Sequence, residues 1–409
     1  MKDTNKLNPE IRFSGFTDDW EERKLGELGS VAMNRRIFKE QTSENEEVPF
    51  FKIGTFGSKP DAFISRELFE EYKLKYPYPE IGDILISASG SIGRTVVYQG
   101  EDEYFQDSNI IWLKHDNRLD NKFLKQFYSI VKWQGLEGST IKRLYNKNIL
   151  DTDISIPSTI EQNKIGMFFE QLDDTIALHQ RKLNGLKNVK KAMLEKMFPK
   201  SGEKIPEIRF SGFTDDWEQR KLESLCEVFT DGDWIEAKDQ SNSGVRLIQT
   251  GNIGITEYLD KKNNKKWISE ETFKRLRCEE VYPGDILISR LPDPAGRACI
   301  LPNLGIRMIT AVDCTIIRTS KEYDSKYLVQ YLSTPTYFKI VNSFLGGGTR
   351  QRISRKNLSK IDIPVPHIFA EQQKIGEYFS NLDHLITLHQ RKLDKLKTVK
   401  KAMLEKMFI

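Results

Sequence analysis

The sequence predicts an α+β protein: two tandem modules of small mixed or antiparallel sheets with helices, separated by two long helices that pair as an antiparallel coiled coil. The first observation behind this is a duplication. Residues 9–20, PEIRFSGFTDDW, return unchanged as residues 206–217, and through Leu28 and Leu225 17 of 20 positions agree. Residues 161–198 return as 371–408, an offset of 210, with 27 of 38 positions identical. The second observation is a set of short β-branched runs bounded by Gly, Asn or Pro, the composition of strands. The third is an apolar stripe stepping by four and three through both copies of the long repeat, the seam of a coiled coil. A length of 409 residues agrees with more than one domain, since roughly 100 to 200 residues make one.

The elements follow in order. Thr17 stands where it would cap a short helix through Asp18, Asp19, Trp20 and Glu21, whose carboxylates suit a helix N-terminus. Residues 84–87, 95–98, 109–113 and 153–156 read as strands. Between them Phe123, Leu124, Phe127, Tyr128 and Val131 recur at helical spacing after Asp120 and Asn121, and Tyr327, Leu328, Tyr331 and Leu332 answer them. These aromatics read as core rather than as a platform for stacked bases. GDILIS at 82–87 answers 284–289, and Lys147-Asn148 answers Lys356-Asn357, while the offset drifts from 202 to 209. Length has changed in loops and not in the frame, so one fold carries two different surfaces.

The long repeat supplies the seam Ile165, Phe169, Leu172, Ile176, Leu183, Leu186, Met193 and Met197, with polar steps at His179 and Lys190. Its second copy supplies Ile375, Phe379, Leu382, Ile386, Leu393, Leu396, Met403 and Met407, with His389 and Lys400 at the same two steps. Thirty-eight residues make a rod of roughly 57 Å. A globule between the rods lets the pair run antiparallel. A straight 3.6-residue helix drifts against the seam and brings Val189 and Val399 in where the lysines stand. The histidines suit a register-setting role, and neither has a second ligand four residues away for a metal. The expected division is 1–159, 160–200, 201–369 and 370–409: module, helix, module, helix.

Charge is nearly balanced: 63 Lys plus Arg against 59 Asp plus Glu leave +4. Residues 161–200 and 371–409 each hold eight basic and five acidic side chains, so the helices carry +6 (twice 8 − 5) and everything else −2 (4 − 6). Any nucleic-acid surface must therefore be local. Cys226, Cys278, Cys299 and Cys314 form no CxxC and read as reduced thiols, not a disulfide or zinc framework. No apolar run approaches the 18 or so residues of a membrane span, and the polar start lacks a secretory core, which predicts a cytoplasmic protein.

Catalytic motifs are missing. The chain has no GxxxxGK[ST], HExxH or GxSxG, and no Asn-Pro-Pro-aromatic loop of amino-methyltransferases. The Gly-rich stretches 90–93 and 346–348 lack a dinucleotide frame and read as turns. Pro60-Asp61 followed by Glu71-Tyr72-Lys73 fits the permissive PD…ExK pattern of metal-dependent nucleases, but residues 268–274 of the second copy have no ExK. No metal site and no catalytic residue is assigned.

Binding remains. Basic residues gather before the last strand of each module: Lys142, Arg143 and Lys147 in one, Arg350, Arg352, Arg355 and Lys356 in the other. Such clusters suit phosphate contact, and an ordinary solvated surface is the competing reading. The loops after the shared strand carry Ser89, Ser91 and Arg94 in one module and Arg290 and Arg297 in the other, and both end in Gly-Arg. Unlike tips on a common frame are where two modules would read two base sequences, so these twelve residues are the candidate DNA contacts.

Two variable globules, each opened by Trp-Glu-x-Arg-Lys-Leu, carrying Gly-Asp-Ile-Leu-Ile-Ser and closed by a Pro…Gln-x-x-Ile-Gly helix (157–166, and with one residue more 366–376), resemble the DNA specificity subunit of a type I restriction-modification system. The resemblance covers essentially the whole chain. It implies two target-recognition domains, each reading half of a bipartite, asymmetric site in double-stranded DNA, with the helices fixing the gap. It also implies two modification subunits that methylate adenine with S-adenosylmethionine, and two restriction subunits that translocate and cleave with ATP and Mg. No cofactor would be bound by this chain. The competing readings are a non-catalytic coiled-coil scaffold and a stand-alone DNA methyltransferase or endonuclease with an unrecognised catalytic site.

Overall fold

A computed structural model describes residues 8–135, 142–261, 263–346 and 351–409. It divides into two compact units, residues 1–179 with 392–409 and residues 180–391, so that each unit owns a stretch of both long helices, Thr159–Lys196 and Phe369–Met407.

In the first unit the central sheet runs Gly29–Ala32, Ile110–His115, Ile84–Ser87, Thr95–Val97, all antiparallel. The run Ile84-Leu85-Ile86 is apolar without alternation because both faces are covered. Ile84 and Ile86 meet Ile111, Phe123 and Phe169 on one side, while Leu85 meets Trp112, Phe51 and Phe105 on the other. That second face is capped by a small mixed sheet, Phe63–Ile64, Val48–Phe51 and Tyr104–Phe105, and by the helix Arg66–Lys75. The second unit repeats the plan with Cys226–Asp231, Cys314–Thr319, Ile286–Ser289 and Ala298–Ile300, and Ile286 and Ile288 again face away from Leu287. Its second sheet has four strands, the last pair parallel.

The module helix Asn121–Ile130 starts where Asp120 accepts from the Phe123 amide, and Phe123, Leu124 and Tyr128 are core. Its counterpart Ser325–Tyr331 is capped by Asp324. The closing motif explains itself at this junction. The Gln162 carbonyl oxygen accepts from the Asp120 amide (2.9 Å) and its amide donates to the Arg118 and Pro157 carbonyls, and Gln372 does the same with Asp324, Glu322 and Pro366. Gly166 is required because a Cβ there would lie 2.5 Å from Lys122 Cβ, and Gly376 would meet the Tyr327 amide at 2.7 Å.

One expected element differs. Residues 18–20 form no helix, and Glu21–Lys24 is a strand pairing antiparallel with Asp153–Ile156. This stretch is engaged elsewhere: Arg12 donates to the Asp18 backbone carbonyl (2.7 Å), Asn8 to the Asp19 carboxylate, and Trp20 is buried edge-on to Phe123. Arg12 itself grips the fully buried Glu161 of the first long helix through two hydrogen bonds, as Arg209 grips Glu371. The repeated PEIR segment is thus a strap fastened to a long helix.

Within each unit the long-helix segments pack antiparallel. In the first, Ile165, Phe169 and Leu172 meet Met403, Leu404, Met407 and Phe408; in the second, Ile375, Phe379 and Leu382 meet Leu186, Met193, Leu194, Met197 and Phe198. Leu183 and Leu393 are buried, and Ile176, Ile386 and Leu396 are half-buried. The drift that would bring Val189 inward does not occur. Val189 is 43% exposed and Val399 half-buried, because Lys190 and Lys400 each find an aspartate on the opposing helix. Among the described residues no helix is long and apolar enough to cross a membrane.

Candidate nucleic-acid interface

Both modules build one loop frame after the central strand. In the first, the Gly93 amide donates to the Ser87 carbonyl (3.0 Å), Ala88 to Asn109 (2.7 Å) and Leu144 to Ala88 (2.8 Å). In the second, Gly296 donates to Ser289 (2.7 Å), Arg290 to Asp313 (2.9 Å) and Ile353 to Arg290 (3.1 Å). These bonds make Ala88 equivalent to Arg290, Asn109 to Asp313, and Arg143, one residue before Leu144, to Arg352.

On that frame the chemistry diverges. Arg143 Nη2 reaches Asn109 Oδ1 at 3.5 Å, an oxygen that also accepts from the buried Ser89 hydroxyl at 2.7 Å. Arg352 Nη1 stands 3.5 Å from the Asp313 carboxylate instead. Around Asp313 the second module adds charges absent from the first. Arg290, 3% exposed, donates to the Val312 carbonyl and lies 3.4 Å from Asp231 and 3.8 Å from Asp313, and Arg355 lies 3.8 Å from Asp231. One arginine beside a neutral amide thus answers a network of three arginines and two aspartates.

The frame also separates surface from scaffold among the expected contacts. Arg297 spends its guanidinium on the carbonyls of Thr250, Ile253, Leu291 and Pro294 at 2.6–3.0 Å, and burial holds it below the usual arginine range. Arg94, its counterpart, is exposed but donates to the Phe56 carbonyl at 2.8 Å. Both tie the loop to a neighbouring strand connection. Ser91, Lys142, Arg143 and Lys147 face solvent in one module and Arg352, Arg355 and Lys356 in the other. Lys142, Lys147 and Lys356 have no ion-pair partner among the described residues. Arg350, with Thr140, Ile141 and Thr349 beside the clusters, lies outside the described residues.

The description type I restriction modification DNA specificity domain fits this chain twice, at residues 17–188 and 214–398. The chain belongs to that family. A putative type I restriction enzyme specificity subunit of Haemophilus influenzae is 56% identical over 151 residues, a match spanning 37% of this chain and 39% of that relative. The putative MjaX specificity subunit of Methanocaldococcus jannaschii is 25% identical over 95% of this chain and 92% of its own length. Among solved structures, the S subunit of a type I restriction-modification system from M. genitalium shares the fold with a TM-score of 0.66 over 98% of this chain and 99% of that one, at 14% identity. These relatives are specificity subunits, which are non-catalytic, and the duplicated modules are two specificity domains.

The nuclease-like pattern dissolves within the first specificity domain. Asp61 pairs with Lys52 (2.8 Å), Glu71 with Lys75 (2.9 Å), and Lys73 with Asp102 (3.3 Å). Among the described residues no group of three or more His, Cys, Asp or Glu is placed to hold a metal ion. What reading the sequence missed are the acceptors Asn109, Asp231 and Asp313. The signal was present, since unlike residues stand just before the equivalent strands at Ile110 and Cys314, but nothing local says that an arginine far along the chain reaches them. Trp234, 71% exposed and three residues beyond Asp231, and the exposed Arg36 following Gly29–Ala32 add an aromatic and a cation to the same strand ends. Nearby, burial lifts the Asp233 carboxyl to about 6.

Proposed function

We propose that this chain is the DNA-reading subunit of a type I restriction-modification complex, in which each specificity domain reads one half of a bipartite, asymmetric site. The carrying observation is the equivalence of Arg143 with Arg352 on one frame against unlike acceptors, Asn109 and Asp313. An arginine tethered weakly by an amide and one held inside an ionic network present different donor sets to a base edge or phosphate. Divergent tips on equal frames then mean unlike half-sites. The long helices set the gap: readers on one face of B-DNA stand about 34 Å apart per helical turn, within the roughly 57 Å of each helix.

The near-identical segments suit two copies of one partner, because equal surfaces accept equal subunits. Two modification subunits with S-adenosylmethionine and two restriction subunits with ATP and Mg would bring the chemistry, and this chain would hold no cofactor. The test is to map methylated adenines in DNA from cells co-expressing this chain and its modification subunit. The expected result is a single two-part motif with a fixed gap. Unpatterned methylation, or no salt-dependent DNA affinity with the partner present, would favour the scaffold reading, and methylation by the purified chain alone would favour the stand-alone enzyme.

A further inference from the structure

Lys190 and Lys400 are polar steps of the seam, as His179 and His389 are; the two lysines stand 210 residues apart, and each meets an aspartate also 210 residues apart from its twin. In the first unit Lys400 Nζ lies 2.5 Å from Asp173 Oδ1, and Lys125 of the module helix approaches Asp173 Oδ2 at 3.5 Å. In the second, Lys190 Nζ lies 2.5 Å from Asp383 Oδ1, and Gln330 of the module helix donates to Asp383 Oδ2 at 2.8 Å. Lys190 also donates to the Thr256 hydroxyl at 3.3 Å. Thr256 holds a left-handed backbone, φ +60°, and its amide donates to the Ala298 carbonyl in the central sheet. Each aspartate therefore ties three elements: its own long helix, the opposing one, and the module helix that carries the domain.

From these contacts we infer that Asp173 and Asp383 are positioning residues for the gap between half-sites, an inference that rests on the DNA-reading function proposed above. A polar group in a coiled-coil seam discriminates between registers more than it adds stability. Slipping one helix by a heptad would set Asp173 against Leu393 or Met407, and Asp383 against Leu183 or Met197, all buried apolar side chains. The module-helix donors then transmit the chosen register to each domain. Neither duty requires contact with DNA, so sequence reading at the half-sites is untouched.

The test uses the full complex and a library of sites with the gap varied in single base pairs, scored by adenine methylation. The wild-type complex is expected to favour one gap. Lys190→Asp should lower the ratio of methylation at that gap to its neighbours roughly tenfold, the worth of one charge-assisted contact, with both half-sites unchanged. The double change Lys190→Asp with Asp383→Lys should restore it, because the buried Gln330 carbonyl oxygen, which has no partner, can accept from the lysine introduced at 383. An unchanged ratio, or an equal fall at every gap that the double change does not reverse, would overturn the inference. A wild-type complex with no preferred gap would overturn the function proposed above instead.

Discussion

Two arginines of the second specificity domain show how little a residue's type says about its use. Arg297 donates to four backbone carbonyls, whereas the guanidinium of the exposed Arg352 meets Asp313. Arg297→Ala should therefore destabilise the second specificity domain by about 2 to 4 kcal/mol in equilibrium unfolding, since buried acceptors lose their donor. Arg352→Ala should leave unfolding nearly unchanged, weaken DNA binding across all sequences, and reduce the slope of log affinity against log salt by about one. A loss confined to one base pair would make Arg352 a base reader.

Among the elements, the phenylalanine just past the end of each long helix bears more weight than its place at the end of a repeat suggests. Phe408 stacks on Phe123 with ring centroids 4.9 Å apart and meets Trp20 edge-on, so one side chain joins the strap, the module helix and the long helix. Phe198 does the same with Phe379, Trp217 and Tyr327. Phe408→Ala should cost the first unit about 3 kcal/mol, and Phe198→Ala the second a similar amount, in thermal or denaturant unfolding of the full chain. Losses below about 1 kcal/mol would mean that the seam upstream suffices to dock the helix end.

For the whole molecule the duplication defines interchangeable parts. The strap, the Gln–Gly junction, the central sheet and the seam aspartate recur in both units, while the smaller second sheet and the loops differ. Replacing residues 206–368 with the corresponding segment of another family member should change one half-site and leave the other intact, read as methylated motifs. A change in both halves would show that the domains do not read independently.

Much of this was legible in the sequence because it depends on local or self-repeating pattern. The α+β class, the duplicated modules, the paired helices and the core aromatics at Phe123 and Tyr327 follow from periodicity and self-comparison, which need no knowledge of what lies opposite. Tertiary structure decided the rest wherever a group chooses among distant partners. Residues 21–24 became a strand because Asp153–Ile156 offered a ladder, Arg297 turned inward because carbonyls converged on it, and the seam lysines stayed because aspartates waited on the opposing helix. Hydrogen bonds and ion pairs are satisfied in space, and the residue that satisfies them can stand more than two hundred positions away along the chain, as Asp173 does from Lys400.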